Sequence, residues 1–269
     1  MTIVFLLEIA RLLPPLERAA LKDLIIRRDN RLFDIIQNKD RHDALLHLVA
    51  LEVVSNAFHL WYGLYDQLKM STDTARYLND NGNYNDELEN ISGTTRFSTC
   101  RFGVELTSTS SLVYGEIDFF GFAKLMEHVN PQTNQVFYDL GHGTGRAVIA
   151  AALLYPPLDC RGIEIVENLF FASENARKAS NLSNVSFVLG DILSSTSWWV
   201  DGDIVFVNCT CFTNELFSRV QAKALLMKRG SMFISLTKKL HCDSFQEIAQ
   251  IPMKTSWGEE IAFILQKLL

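Results

Sequence analysis

From Leu112 to the C-terminus, short apolar runs alternate with stretches of helical periodicity, and few folds accommodate that alternation. The runs are five to seven residues long, a length typical of buried strands. Strands that alternate with helices predict a mostly parallel sheet with helices on both faces, whose ligands bind beyond the carboxyl ends of the strands. The predicted strands are VFYDL, CRGIEI, VSFVLGD, DIVFVNC and SMFISL, and the predicted helices are RAVIAAALLY, ENLFFASENARKA and NELFSRVQAKALLM.

The N-terminal part of the chain has a different pattern. Apolar residues recur at helical spacing from Phe5 to Leu68, and Ala44–Leu68 predicts one long, well-buried helix. Lys69–Ser111 is polar and rich in Asn, Asp and Gly, which predicts a linker. We therefore expect an N-terminal helical region and linker over residues 1–111 and a separate α/β domain over residues 112–269. The long helix should bury its aromatic side chains, which are Phe58, Trp61, Tyr62 and Tyr65.

The composition argues against several classes of protein. The formal net charge is -6, whereas direct nucleic-acid binders usually carry a basic patch, so any DNA contact should be weak or indirect. Basic proteins remain possible partners. The five cysteines are scattered and odd in number, so we expect no disulfide framework. Cys209 and Cys211 form a CxC pair, but no second ligand pair stands at zinc-finger spacing, so we expect no metal. No run predicts a signal peptide or a membrane span, so we expect the cytosol or the nucleus.

A glycine motif, DLGHGTG at Asp139–Gly145, follows the first predicted strand and opens the next helix. Its glycines permit a tight turn and a close approach of a ligand to the backbone. A dinucleotide fingerprint would require glycine where Arg146 stands. The DxGxGxG spacing is instead the form found in methyltransferases that bind S-adenosylmethionine, where the carboxylate contacts the cationic methionine amine. The cofactor-binding candidates here are Asp139, Gly141, Gly143 and Gly145.

Two further acids end the second and third predicted strands. Glu164 can accept both ribose hydroxyls, and Asp191 can accept from the adenine amino group while Ile192 packs on the base. A single acid at a strand end is usually a cap or a solvated residue. Acids at three successive strand ends, in this order, favour an S-adenosylmethionine site.

The fourth predicted strand ends in NCTCF, beside the expected position of the transferable methyl group. Methyltransferases that act on the amino groups of bases often carry two prolines after this Asn, and cytosine-C5 enzymes carry Pro-Cys. Neither pattern is present after Asn208, and we expect Cys209 and Cys211 to be small buried residues.

Six motifs in order resemble the Dot-one (disruptor of telomeric silencing) histone methyltransferases, the lysine methyltransferases without a SET domain. They are VYGEIDF, DLGHGTG, GIEI, VNCTCF, ISLTKKL and the final TSWG. The resemblance extends from about Leu112 to the C-terminus, and the compact length is most similar to the protist members, in particular the kinetoplastid ones.

This resemblance implies a Rossmann-like class I fold and methyl transfer from S-adenosylmethionine to a lysine in the folded core of histone H3. The expected product is S-adenosylhomocysteine, the partner is the nucleosome, and the location is the nucleus. Tyr114 and Glu116 would lie on a loop closing over the methionine moiety, and Trp257 would form a wall of the lysine channel. Asn208 would lie beside the sulfonium and the acceptor nitrogen. The resemblance also assigns Gly141 and Gly143 to the cofactor, Glu164 to the ribose, and Asp191 and Ile192 to the adenine.

The expected mechanism needs no dedicated base. A sulfonium methyl group needs only a neutral, aligned amine, and an apolar channel beside a positive charge lowers the pKa of lysine. We expect Asn208 to orient the amine, not to deprotonate it. The chain departs from the family at His142, where serine is common, and at Ile117 and Asp118, where small hydroxyl residues are usual. After Trp257 the family often has a pair of tyrosines, and the nearest match in this chain is Ala262-Phe263.

Two other functions stay open at this point. The same cofactor core serves methyltransferases for RNA or small molecules, because a fold does not determine a substrate. A non-catalytic chromatin-binding module with a degenerate site is the other alternative, although the intact Asp139, Glu164, Asp191 and Asn208 argue against it. The methylation state, the position of the target lysine and the oligomeric state also stay open.

Overall fold

The computed structural model describes residues 39–68, 90–91, 94–96, 113–114, 116–194, 198–255 and 258–268. Side-chain environments are defined within 53–68, 116–194, 198–255 and 258–268. The chain divides into two units, Met1–Ala57 and Phe58–Leu269. The predicted domain boundary after residue 111 stays a prediction.

A seven-stranded sheet forms the centre of the second unit, in the order β6-β5-β4-β7-β8-β10-β9. The first five strands in that order are parallel, and β10 and β9 add an antiparallel hairpin. This confirms the predicted Rossmann-like α/β class. The helices are α1 (Lys39–Gln67), α2 (Phe119–Val129), α3 (Arg146–Leu154), α4 (Glu167–Ser180) and α5 (Asn214–Ala224). The strands are β1 (Asn90–Ile91), β2 (Thr94–Arg96), β3 (Val113–Tyr114), β4 (Val136–Leu140), β5 (Asp159–Glu164), β6 (Val185–Leu189), β7 (Ile204–Asn208), β8 (Met232–Leu236), β9 (Phe245–Thr255) and β10 (Gly258–Lys267).

The central strands β4 and β7 are almost wholly buried, which explains why their sequences are continuous apolar runs. On one face, Phe122 of α2 makes edge contacts with Phe137 of β4 and Phe206 of β7, with ring centroids 6.1 and 5.7 Å apart. Phe122 is fully buried, and burying such a side chain contributes about 1.5–3 kcal/mol. The core therefore holds the strand ends that carry the predicted site.

Helix α2 and the β9–β10 hairpin were not among the predicted elements. Asp118 is the N-cap of α2, because its carboxylate accepts a hydrogen bond from the Gly121 N–H at 2.8 Å. Ile117 is buried and forms an isolated bridge with Thr255. These two departures from the family thus fix the start of a helix against β9.

Two expectations about the N-terminal part were wrong in detail. The polar segment predicted as a linker contains β1 and β2, and β2 pairs with both β1 and β3 in a small antiparallel sheet. In α1, Trp61 and Tyr65 are buried as expected, but Tyr62 is 57% exposed and Leu60 is 63% exposed. Within the described residues, no helix is both long and apolar enough to span a membrane.

Candidate active site at the carboxyl edge of the sheet

Four predicted polar residues lie at one edge of the sheet. The parallel strands β6, β5, β4 and β7 are neighbours in that order, so their carboxyl ends meet at the same edge. Glu164 and Asn208 end β5 and β7, Asp139 is the penultimate residue of β4, and Asp191 follows β6. Sequence spacing alone could predict this convergence, because each acid or amide stands at or near the carboxyl end of a predicted strand.

The glycine loop between β4 and α3 has the backbone conformation that its composition predicts. Gly141, Gly143 and Gly145 have φ angles of +81°, +57° and +83°, which favour glycine. A Cβ at Gly141 would meet nothing within 4 Å, so the backbone there borders open space. A Cβ at Gly145 would lie 2.5 Å from Phe187 Cζ, so this glycine also permits close packing against β6.

The Glu164 carboxylate anchors the glycine loop through backbone hydrogen bonds. Its Oε2 accepts the Gly143 N–H at 2.8 Å, and its Oε1 accepts the N–H groups of Ile165 and Val166 at 2.9 and 2.8 Å. A carboxylate offers about four lone-pair positions, so one position on Oε2 remains after these three bonds. The predicted contact with two ribose hydroxyls would require one of the backbone bonds to give way.

Asp139 lies beside Glu164 with 4% of its surface exposed. Burial raises the pKa of Asp139 well above its ordinary value, and the neighbouring Glu164 carboxylate raises it further. Burial also raises the pKa of Glu164, while its three backbone hydrogen bonds partly offset the effect. Two buried carboxyl groups side by side therefore favour a cation at this edge.

His142 is a packing residue beneath the loop. Its Nδ1 hydrogen-bonds the Gly143 carbonyl oxygen at 2.8 Å, and its ring lies 4.4 Å from that of Phe187. A Cβ at Gly162 would lie only 2.4 Å from His142 Cδ2, so the glycine in β5 provides the space for the imidazole. Burial lowers the pKa of His142 to about 3, which keeps the ring neutral. These contacts explain how the fold accommodates an imidazole at this departure from the family.

The loop after β6 is held from both sides. Asp191 Oδ1 accepts the Leu193 N–H at 2.8 Å. The Ile192 carbonyl oxygen accepts Trp199 Nε1–H at 2.7 Å and Lys223 Nζ at 3.0 Å, and Lys223 also donates to Ser194. The loop that carries the predicted adenine contacts is thus fixed by α5, a support that the sequence did not indicate.

A second group of residues, missed by sequence reasoning, holds the other side of the glycine loop. The Arg146 guanidinium carbon lies 4.2 Å from the centre of the Tyr65 ring and 5.0 Å from that of Trp61. Trp61 Nε1–H donates to the Arg146 carbonyl oxygen, and Tyr65 Oη–H donates to that of Thr144. Arg146 Nε also lies 2.9 Å from Glu116 Oε1 and forms an ion pair with it. The predicted closing-loop residue Glu116 is thereby tied to the start of α3.

Two predicted residues are not described at side-chain level. Trp257 lies outside the described residues, and Tyr114 is described only as part of the backbone of β3. Within the described part of the chain, no group of three or more His, Cys, Asp or Glu residues could hold a metal ion.

Comparisons with solved structures gave matches of low similarity. TrmN from Thermus thermophilus matches with 21% identity and a TM-score of 0.49, over 55% of this chain and 48% of that one. YcgJ from Bacillus subtilis matches with 10% identity and a TM-score of 0.46, over 56% of this chain and 100% of that one. An RNA methyltransferase from Salinibacter ruber in complex with S-adenosyl-L-homocysteine matches with 19% identity and a TM-score of 0.46, over 55% of this chain and 90% of that one. No curated protein sequence matches the chain significantly.

The sheet order, the three left-handed glycines and the acids at successive strand ends define a class I S-adenosylmethionine-dependent methyltransferase. The family model described as "Histone methylation protein DOT1" matches residues 104–256, which is more than half of the chain. The chain belongs to this family, as its motifs predicted. S-adenosylmethionine is accordingly its cofactor.

Proposed function

We propose that this protein methylates a lysine in the folded core of histone H3, within assembled nucleosomes in the nucleus. The observation that carries the proposal is the membership of the DOT1 family together with an intact set of polar residues at the sheet edge. Contact with nucleosomal DNA is weak or indirect in this proposal, because the formal net charge of the chain is -6.

The residues at the edge fit the cofactor by their chemistry. Asp139 and Glu164 are neighbouring buried carboxyl groups, and burial raises the pKa of both. A cation such as the methionine amine would stabilise their ionised forms. Gly141 offers a backbone that borders open space, as the approach of a ligand requires. In our proposal Asp139 binds the amine, Glu164 Oε2 accepts a ribose hydroxyl, and Asp191 and Ile192 hold the adenine.

The remaining roles concern the acceptor. When bound, the cofactor supplies a sulfonium methyl group that is already activated. Asn208, at the end of β7, then orients the lysine nitrogen, and Glu116 is held near the site by Arg146. Tyr114 and Trp257 are proposed to close the site and to form a wall of the lysine channel. Alignment of the reacting atoms supplies much of the rate enhancement without a protein base.

Transfer of a radiolabelled methyl group to recombinant nucleosomes tests this function. We expect label on histone H3 in nucleosomes, with less on free H3. Asp139→Ala should abolish the labelling. The matched control is Asp159→Ala, because Asp159 pairs with Arg161 at the opposite end of β5. This substitution should leave the labelling unchanged.

The acceptor classes separate in the same assay. Labelling of RNA or of small molecules in place of nucleosomes would contradict the histone proposal while retaining a methyltransferase. Failure to bind S-adenosylmethionine in a calorimetric titration would instead favour a non-catalytic chromatin-binding module.

A further inference from the structure

A row of hydrogen-bonded side chains leads from Asn208 away from the glycine loop. Asn208 Oδ1 lies 2.9 Å from Thr210 Oγ1, and Thr210 Oγ1 lies 2.7 Å from Thr237 Oγ1. Thr237 Oγ1 in turn lies 2.8 Å from Glu260 Oε2. The three contacts join the end of β7, the turn after β8 and the start of β10 along the carboxyl edge.

The backbone fixes the middle of this row. Thr237 has a φ of +71°, and its N–H donates to the Ile261 carbonyl oxygen at 2.8 Å. A non-glycine residue is uncommon in this conformation, and here it directs the hydroxyl between Thr210 and Glu260. The row is therefore held by the sheet itself.

With Glu260 as a carboxylate, the number of available hydrogens leaves one direction for the row. Three short contacts need three hydrogens, but the two threonine hydroxyls supply only two, and carboxylate and amide oxygens supply none. If the Asn208 carboxamide turns its Nδ2 toward Thr210, the count is complete. Asn208 then donates to Thr210, Thr210 donates to Thr237, and Thr237 donates to Glu260. This rotation of the carboxamide loses the hydrogen bond from the Thr210 N–H to Asn208 Oδ1, which is weak because it is 3.4 Å long.

We propose that Glu260, Thr237 and Thr210 are positioning residues that hold the Asn208 carbonyl oxygen toward the methyl acceptor. This rests on the proposed methyltransferase function and names the acceptor class, a nitrogen nucleophile that carries an N–H. The oxygen accepts one N–H of a neutral amine, which aims the lone pair at the methyl group. The nitrogen lone pair forms the new N–C bond while the C–S bond breaks and leaves its electrons on sulfur. The product ammonium then loses a proton to water.

The direction of the row is tested without any substrate. The side-chain amide resonance of Asn208, identified by its loss in Asn208→Asp, reports on the Nδ2 hydrogens. We expect one of them to exchange with solvent about fivefold more slowly than those of the exposed Asn130, since it donates to Thr210. Thr210→Val should remove this protection, and Thr210→Ser should keep it. Equal exchange at Asn208 and Asn130 in the wild type would overturn the proposal, even if the valine variant failed to fold.

The kinetic consequence is tested with the full chain and nucleosomes. Thr210→Val and Thr237→Val should each lower kcat about fivefold while the KM for S-adenosylmethionine is unchanged, and each serine variant should restore the rate. The double valine variant should be no slower than the slower single variant, because both changes break one row. Multiplied effects, or a parallel rise in the KM for the cofactor, would overturn the proposal. If the wild type labels no nucleosomes, the histone function fails and the exchange measurement still decides the direction of the row.

Discussion

Alanine at two glycines of the same loop should have unequal effects on stability. Gly141 and Gly145 have almost identical φ angles, +81° and +83°, so an L-residue pays the same backbone cost at both, about 1–2 kcal/mol. The surroundings differ, because a Cβ at Gly141 meets nothing within 4 Å, whereas one at Gly145 lies 2.5 Å from Phe187 Cζ and 3.1 Å from Ser173 Cβ. Both neighbours of Gly145 lie on packed elements, β6 and α4.

The magnitude follows from these contacts. Overpacking of a filled core costs about 1–3 kcal/mol. We therefore expect Gly145→Ala to lower the free energy of unfolding by about 2–5 kcal/mol, and Gly141→Ala by only about 1–2 kcal/mol. The open space at Gly141 is where the cofactor should lie, so Gly141→Ala should weaken S-adenosylhomocysteine binding about tenfold or more.

Urea unfolding of both variants without ligand measures the first effect, and calorimetric titration measures the second. The comparison is internally controlled, since the backbone cost cancels between the two positions. Equal destabilisation by the two substitutions would refute the packing argument. Unchanged cofactor affinity in Gly141→Ala would refute the placement of the ligand against that part of the loop.

Three other predictions concern the groups beneath this loop. Asp139→Asn should weaken cofactor binding about 10- to 100-fold, the worth of a hydrogen bond to a charged group, without lowering the stability of the free protein at neutral pH. The stability of the free protein should not fall because burial raises the pKa of Asp139, so the ionised carboxylate destabilises the fold as the pH rises through that pKa. A carboxylate in a normal ion pair has the opposite effect, because its ionised form stabilises the fold. At a pH below the raised pKa of Asp139, cofactor binding should therefore release protons, and the affinity should fall as the pH falls through that pKa. Calorimetry in buffers of different ionisation enthalpy would detect both effects. Gly162→Ala should destabilise the protein by about 1–3 kcal/mol through its clash with His142, and His142→Ala in the same chain should recover part of the loss in urea unfolding. No recovery would contradict the packing role of His142.

The central strands of the parallel sheet were predictable because they are buried on both faces. VFYDL and IVFVN are continuous apolar runs, and such runs are distinguishable from helices by their length and flanking residues. Three of the predicted helices begin where the structure begins them, at Arg146, Glu167 and Asn214. The placement of the polar strand ends followed from topology alone, since parallel strands bring their carboxyl ends to one edge.

The hairpin β9–β10 was missed because its first strand, β9, is the edge strand of the sheet. β9 alternates exposed and more buried residues and carries polar side chains such as Gln246 and Lys254, so its sequence contains no continuous apolar run that would predict a strand. Helix α2 was missed because its N-cap, Asp118, stands inside a motif that was interpreted for function. The local secondary-structure propensities of the sequence did not predict the hairpin or α2, because both are stabilised by tertiary packing.

The supports of the site were also beyond the reach of sequence. The stacking of Arg146 on Trp61 and Tyr65 joins residues more than 80 positions apart. The row from Asn208 to Glu260 depends on the pairing of β8 with β10, which the sequence did not predict. Residues that contact the ligand through their own polar groups could be predicted from the sequence. Residues that act by positioning a neighbour could be identified only from the structure.

A crystal structure with S-adenosylhomocysteine tests the central claim most directly. We expect the ligand at the carboxyl edge of β6, β5, β4 and β7, with its amine on Asp139, a ribose hydroxyl on Glu164 Oε2 and its adenine beside Asp191. A ligand bound elsewhere, or bound without contact to these three carboxyl groups, would contradict the account.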